Sequence, residues 1–503
     1  MNKDIILTTL NSRFSHSSLS LRYLYANMHE LQHSSKILEF VINSQTQVIA
    51  EEILEYCPKI VGLSTYIWNA TEISQIIKII KKVSPKTMII LGGPEVSHKP
   101  FRVNFDVADY IISGEGEELF YRLCKDILDN NPPKEKFLYS KGVDFSKIKL
   151  PYEYYTDFDI QNRHIYIESS RGCPFECEFC LSSIDLKMRY LPLEVVLDEL
   201  EKLWQRGARN FKFIDRTFNV KISYAKAILE YFLAKNEEYF LHFEVIPDNF
   251  PDELRVLLTR FAPQSLQLEV GIQTLNLEIA KNIKRNLRLA KIKENINFLE
   301  TQTKAHLHVD LIVGLPAETL QSFAANLDEL YSITKSEIQI GILKKLSGTT
   351  LDRHDIEYGM IYNDEPPYDI LQNDFIDFFT MQKMKRFARF WDIVYNSGNF
   401  IKTSKVLFEN GRVFDNFYDF SEWLYKRSES TYKISLDRIA EYLYEYLIKK
   451  YYKDMIALTI LEDIMSVEGR KVPAFLKPLI PKEYDIAQKE VSKANKRQQL
   501  RDL

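Results

Sequence analysis

At 503 residues the chain is longer than one hydrophobic core usually organises, so two or three domains are expected. With 66 Lys and Arg against 70 Asp and Glu, a net charge of -4, it lacks the strongly basic balance of a protein that coats nucleic acid, and no nucleic-acid partner is expected. Its 45% apolar and 27% charged residues are those of an ordinary globular protein, and no apolar run approaches the roughly 18 residues of a membrane span.

The opening MNKDIILTTLNSRFS has no small-residue cleavage site and reads as a first strand, not a secretion signal. Strand-like runs follow as IILTTL (5–10), KILEF (36–40), IVGLST (60–65), TMIILGG (87–93) and YIISGEG (110–116), with helical patterns near 18–32 and 70–82. This alternation predicts an α/β fold with a doubly wound, flavodoxin- or Rossmann-like domain over 1–135. Such sheets bind ligands beyond the carboxyl ends of their strands, which here carry STYIWN, GGPEVSH and SGEGEE.

Residues 136–163 read as a linker that follows the turn-forming DNNPP and is aromatic without period. A second βα series spans 164–350. HIYIESS, FKFID, LHFEVIP, LQLEVGIQ, LHVDLIVGLP and EIQIGIL are its strands, and they predict a partial (β/α)6 barrel with its chemistry at the carboxyl ends. From 351 to 503 the chain reads as an α-helical domain, with Trp391, Trp423 and many tyrosines as packing residues. The last run, AQKEVSKANKRQQLRDL, reads as a frayed helix or disordered tail.

Three of the five cysteines fall in RGCPFECEFC, as Cys173, Cys177 and Cys180 with C-x3-C-x2-C spacing, just after the barrel's first strand. Three thiolates fill three positions of a cubane iron-sulfur cluster and leave one iron open. The alternatives are a structural zinc, although no cysteine or histidine follows Cys180 at finger spacing, and three unrelated buried thiols. An odd, clustered set is no disulfide framework and suits a reducing compartment, so a cytoplasmic location is expected. Other strand ends carry Glu244, Gln273 and Asp310, with Arg285 twelve residues beyond Gln273 on the following helix and Asp215 with Arg216 after the second strand. Read blandly, Glu244 and Asp310 cap helices or join salt bridges, and Arg285 is solvated charge.

The cysteine spacing, Phe179 before the last cysteine and the barrel together resemble the radical S-adenosylmethionine (SAM) enzymes. The resemblance implies a [4Fe-4S] cluster on Cys173, Cys177 and Cys180 whose open iron chelates SAM. An electron from the cluster then cleaves SAM to methionine and a 5′-deoxyadenosyl radical. The Glu, Gln, Arg and Asp set is similar to that of oxygen-independent coproporphyrinogen-type members. By that likeness Glu244 holds the methionine ammonium, Gln273 and Arg285 the carboxylate and nearby oxygens, and Asp310 the ribose hydroxyls. Asp215 and Arg216 would face SAM or substrate, where many members carry a glycine-glycine-glutamate pattern that this chain lacks.

NSRFSHSSLSLRYL, VGLSTYIWN, IILGGPEVSH and IISGEGEE, in that order ahead of a barrel, resemble the cobalamin (B12)-binding radical SAM class. The implied cobalamin contacts are Ser15, His16, Ser64, Thr65, Tyr66, Gly92, Gly93, Pro94, Glu95, Gly114, Glu115, Gly116 and Glu117. The glycines let backbone approach a flat corrin, and Ser64 and Thr65 receive the nucleotide tail. The D-x-H-x-x-G motif that supplies a histidine to cobalt is missing, and His16 is read as a loop hydrogen bond or as a cobalt ligand. A flavodoxin-like domain that binds a nucleotide or nothing is the alternative.

The helical tail resembles the C-terminal extension of an uncharacterised subgroup. The activity implied is cobalamin-dependent methyl transfer to an unactivated carbon. The alternatives are radical cyclisation or rearrangement, or a cofactor-binding sensor without turnover. A flavodoxin- or ferredoxin-type electron donor and a small-molecule or peptide substrate are the expected partners.

Overall fold

The computed structural model describes residues 2–409, 412–467 and 469–480. Strands β1 (Ile5–Asn11), β2 (Ser35–Val41), β3 (Ile60–Ser64), β4 (Met88–Gly92), β5 (Tyr110–Ser113) and β6 (Phe137–Tyr139) form a parallel sheet in the order β2-β1-β3-β4-β5-β6. All seven residues of β1 are buried because helices cover both faces. Ile6, Leu10 and Val61 pack under helices Thr46–Leu54 and Ala70–Val83, while Ile5, Leu7 and Ile60 pack under Leu19–Ala26 and Glu117–Leu128. Strand order reverses at β1 and β3, which opens a crevice beyond their carboxyl ends.

The stretch read as a linker is more ordered than its composition suggests. Its β6 completes the first sheet, and a short helix, Asp157–Asn162, is held by a capping box between Thr156 and Asp159. Asp159 also receives Arg22 of the first domain at 2.8 Å, and Arg22 pairs with Glu39 at 2.5 Å.

The second sheet comprises β7 (Ile165–Ile167), β10 (Asn210–Phe213), β11 (Phe240–Val245), β12 (Leu266–Gln273), β13 (His306–Val313) and β14 (Glu337–Ile342), all parallel and in that order. A two-stranded ribbon, β8 (Ser170–Arg171) with β9 (Arg189–Tyr190), encloses the cysteine loop. Strand alternation sends Phe211, Phe243, Leu268, Val270 and Val309 into the core, and sets Lys212, His242, Glu244, Glu269, His308 and Asp310 on the opposite face.

After β14 the chain forms a small antiparallel ribbon, Ile361–Tyr362 with Ile370–Gln372, and then helices from Phe378 onward. Trp391 is wholly buried and crosses Phe417 edge to face at 5.0 Å, so it packs in the helical core. Helix Phe378–Trp391 runs into a π turn, Asp392–Asn396. There the Asn396 side chain accepts from Ile338 N–H at 3.0 Å and donates to Ile338 C=O at 2.9 Å, as a neighbouring strand would. Among the described residues no helix is long and apolar enough to cross a membrane. The run 487–503 lies outside the described residues.

Candidate functional site

Gly172 opens the cysteine loop with φ +90°, and a Cβ there would sit 2.5 Å from Lys187 O, so only glycine lets the loop close on itself. Cys173 N–H donates to Asp185 O at 2.9 Å and Cys180 N–H to Cys177 O at 3.0 Å. Between the last two cysteines, Glu178 turns inward and is 0% exposed. It receives Arg353 at 2.8 Å, His354 at 2.7 Å and Lys284 at 3.3 Å, which ties the loop to the chain beyond the barrel.

The three cysteines line a cavity of about 590 Å3 with Glu244, Gln273, Arg285 and Asp310. Arg285 donates to Cys177 Sγ at 3.5 Å and to the Gly271 carbonyl, which leaves its Nε buried without a partner. Gln273 Oε1 is likewise buried and unpartnered. Burial and the nearby Glu269 and Glu244 push the Asp310 carboxyl well up, against the pull of Arg285. Two carboxyl groups, a guanidinium and two unsatisfied polar atoms around one space fit a zwitterionic ligand with hydroxyls.

Three placements differ from expectation. Asp310 is the fifth residue of β13, not its end, so it reaches the cavity from its wall. Arg285 lies past helix Leu277–Asn282, where Lys284 takes φ +53° and ends it. Asp215 faces neither cavity. Its carboxylate accepts from Ser169 N–H at 3.0 Å, Ser169 Oγ at 2.6 Å and Ser170 Oγ at 2.5 Å, which makes it a buried brace of the strand end before the cysteines.

A second cavity, of about 760 Å3, lies over the crevice of the first sheet. His16, Ser64, Tyr66, Gly92, Gly93, Pro94, Gly114 and Gly116 line it, together with Glu115 and Glu117. Gly93 has φ +104°, and a Cβ there would lie 2.5 Å from Thr65 O. Thr65 is fully buried behind it, so it does not line the cavity. Ser15 also stands off, with its carbonyl accepting from His164 N–H at 2.9 Å. Glu95 turns away and takes the Tyr368 hydroxyl of the C-terminal ribbon. The carboxylates of Glu115 and Glu117 are bound by arginines of the cysteine ribbon, at 2.6 Å from Arg189 and 2.6 Å from Arg171. They clamp one domain to the other at the wall of the cavity.

His16 Nδ1 meets the Tyr166 hydroxyl, and burial with nearby His164, Lys212 and Arg13 lowers its pKa to about 4, so the ring is neutral. Its Nδ1 is thus engaged by β7 of the second sheet. Sequence reading missed the lining residues Trp68, Tyr166 and Lys212, whereas Arg216, expected to face SAM or substrate, does line the cavity. Trp68 stacks on Tyr66 at 4.4 Å and 5°, an i, i+2 aromatic pair visible in STYIWN. Tyr166 and Lys212 carry the period-2 signal of β7 and β10. Arg216 and Glu244 line both cavities.

Comparison with known proteins matches these regions in turn. A B12 binding domain family covers residues 5–123 and the Radical SAM superfamily covers residues 167–330. The chain joins a B12-binding domain to a radical SAM domain. Residues 356–502 of this B12-binding radical SAM protein match a protein family of unknown function, DUF4080. It is 24% identical over 363 residues to the cobalamin-dependent radical SAM methyltransferase TokK of Streptomyces tokunonensis, across 62% of this chain and 51% of TokK. The chain thus spans about half the length of that relative. It is also 24% identical to an uncharacterized methyltransferase of Pyrococcus horikoshii, across 66% of this chain and 77% of the relative. Its fold is similar to that of the radical SAM methyltransferase TsrM from Kitasatospora setae, solved with cobalamin and a [4Fe-4S] cluster bound, with a TM-score of 0.57 at 16% identity over 70% and 74% of the two chains.

Proposed function

We propose that the protein is a cobalamin-dependent radical SAM enzyme that transfers a methyl group to an unactivated carbon. The observation that carries this reading is the contact of the two cavities through Arg216 and Glu244, which sets the cysteine side of the site next to the B12-binding side. When bound, the [4Fe-4S] cluster supplies an electron for SAM cleavage and cobalamin carries a methyl group.

The chain's own residues bind and orient. Cys173, Cys177 and Cys180 would hold the cluster, and Arg285, beside Cys177 Sγ, offsets thiolate charge. Glu244 would accept the SAM ammonium, Gln273 and Arg285 its carboxylate, and Asp310 the ribose hydroxyls. Ser64, Gly92, Gly93, Pro94, Gly114 and Gly116 would form the cobalamin cradle, and the Tyr66–Trp68 stack would give it a flat aromatic side. His16, already engaged by Tyr166, would orient the loop instead of ligating cobalt.

Thiolate-held iron favours a reducing compartment, the cytoplasm, and an external flavodoxin or ferredoxin as electron source. The substrate, a small molecule or peptide, would enter where the cavities meet. Anaerobic reconstitution with cobalamin, SAM, reductant and a candidate substrate tests the reading. S-adenosylhomocysteine and 5′-deoxyadenosine in equal amounts, both dependent on cobalamin, are expected. Substrate conversion with deoxyadenosine but no S-adenosylhomocysteine would replace methyl transfer by cyclisation or rearrangement.

A further inference from the structure

The mouth of the barrel does not use all of its interior polar residues. At the opposite, amino-terminal end, β13 begins His306-Leu307-His308, and strand alternation puts both imidazoles on one face. Glu337 opens β14 and lies in register with His308. Glu337 Oε1 is 3.1 Å from His306 Nε2 and 3.6 Å from His308 Nε2, and the donor atoms of the trio all lie within 4.8 Å of one another. Around an ion with bonds of about 2.0 to 2.2 Å, two ligands of a tetrahedron stand roughly 3.3 to 3.6 Å apart. The separations of 3.1 and 3.6 Å lie just below that edge and at its upper end.

Burial separates this trio from a surface cluster, since Glu337 is 1% exposed and His306 8%. The back of His308 is also held. Its Nδ1 lies 2.6 Å from the Gln339 carboxamide and 3.2 Å from that of Gln267. Both amides are placed with Nε2 toward this nitrogen, and a flip of each exchanges oxygen for nitrogen, so that Gln339 can accept Nδ1–H and set the tautomer whose Nε2 lone pair points toward Glu337. A ligating histidine is ordinarily fixed from behind in this way.

We propose that His306, His308 and Glu337 form a second metal site, for one first-row divalent ion of the zinc class, with Gln339 as a positioning residue. Two imidazoles and a carboxylate suit such an ion, and three protein ligands leave a fourth position for water. The site links β13 to the last barrel strand, β14. It is separate from the cysteine loop, which sits at the other end of the barrel.

The test uses the full-length chain with Cys173, Cys177 and Cys180 changed to Ala, so that neither a cluster nor the thiols capture metal. Titration with Co2+ is followed by visible absorption, and competition with Zn2+ by metal content after desalting. One equivalent of Co2+ with the intense bands of a tetrahedral site, displaced by one equivalent of Zn2+, is expected. His306→Ala and Glu337→Gln should abolish it, and Gln339→Ala should weaken it on the order of 10- to 100-fold. His242→Ala, outside the trio, should leave it unchanged.

Folding is checked by circular dichroism, with Glu337→Gln as the near-isosteric variant, and zinc content is measured in parallel on the cluster-loaded wild type. Less than a tenth of an equivalent of Zn2+ in both folded proteins would overturn the proposal. So would metal that persists in Glu337→Gln, and the trio would then be a histidine-carboxylate ion network.

Discussion

Arg216 donates to Glu244 across 3.0 Å, and the pair forms the partition between the two cavities. If Glu244 receives the ammonium of SAM, Arg216 competes with that ammonium for the carboxylate. Arg216→Met should then tighten SAM binding. The pair is partly solvated and worth about 0.2 to 1 kcal/mol, so the gain is at most roughly fivefold in Kd. Calorimetry on cluster-loaded protein reads it, and a weakened Kd would make Arg216 a SAM ligand in its own right.

Asp310→Ala should weaken SAM binding by about 1.5 to 3 kcal/mol, roughly ten- to hundredfold in Kd, and leave the cluster's visible absorption intact. The ribose contact assigned to it touches no iron. An unchanged Kd would return Asp310 to the structural charges of β13.

Cys173→Ala, Cys177→Ala and Cys180→Ala should each lose the cluster, measured as iron and sulfide per chain. Cys57, which is exposed, and Cys124, which is buried in the first domain, should be dispensable. Full iron content in Cys177→Ala would remove the cluster assignment.

Glu178→Ala should loosen the cysteine loop without touching a cysteine. The substitution leaves His354 and Arg353 without their carboxylate, a penalty of about 1 to 3 kcal/mol, equivalent to roughly five- to hundredfold faster iron loss to a chelator. Arg353→Ala should cost less, because Lys284 and His354 still hold Glu178. Equal chelation rates in wild type and Glu178→Ala would show that the brace does not secure the cluster.

Glu318, after the GLP turn, is fully buried, and burial raises its carboxyl from an ordinary 4.5 to about 8 despite a 3.1 Å bond from Gly314 N–H. Between those values the folded chain keeps a proton that the unfolded chain releases. The stabilising contribution is therefore full below pH 4.5 and falls as pH rises toward 8, by at most about 1.4 kcal/mol per unit. Glu318→Gln should flatten this slope, seen as a Tm difference from wild type that widens in favour of the variant from pH 6 to pH 8. A constant difference would mean that Glu318 is ionised in the fold.

The strands of both sheets were legible because buried parallel strands are short continuous runs of Ile, Leu, Val and Phe, and such runs survive reading without context. The cysteine loop was legible because its ligands are neighbours in sequence. Carboxylates were not sorted, since a ligand and a brace have the same side chain. Glu115 finds Arg189 74 residues away and Glu95 finds Tyr368 273 residues away, and only the folded chain brings them together. Asp215 reads as a mouth residue for the same reason, but in the fold the Ser169 and Ser170 hydroxyls take its Oδ1 and the Ser169 N–H its Oδ2.

The pairing of Asn396 with both backbone groups of Ile338 bears on how this protein can be divided. A partial barrel ends in a strand whose outer N–H and C=O groups would template another strand. Here a side chain from the DUF4080 region satisfies one residue of that edge, and Ile370 and Tyr368 extend the cover just past its end, where Ile370 N–H donates to Leu343 O at 2.9 Å and Tyr368 O accepts from Lys345 N–H at 3.0 Å. A fragment cut between β14 and the start of the DUF4080 match at residue 356 would bare β14 and be prone to self-association. The helical region is thus an integral wall of the barrel, and any change of its length or partners would be felt at the base of β13 and β14 before it reached the mouth.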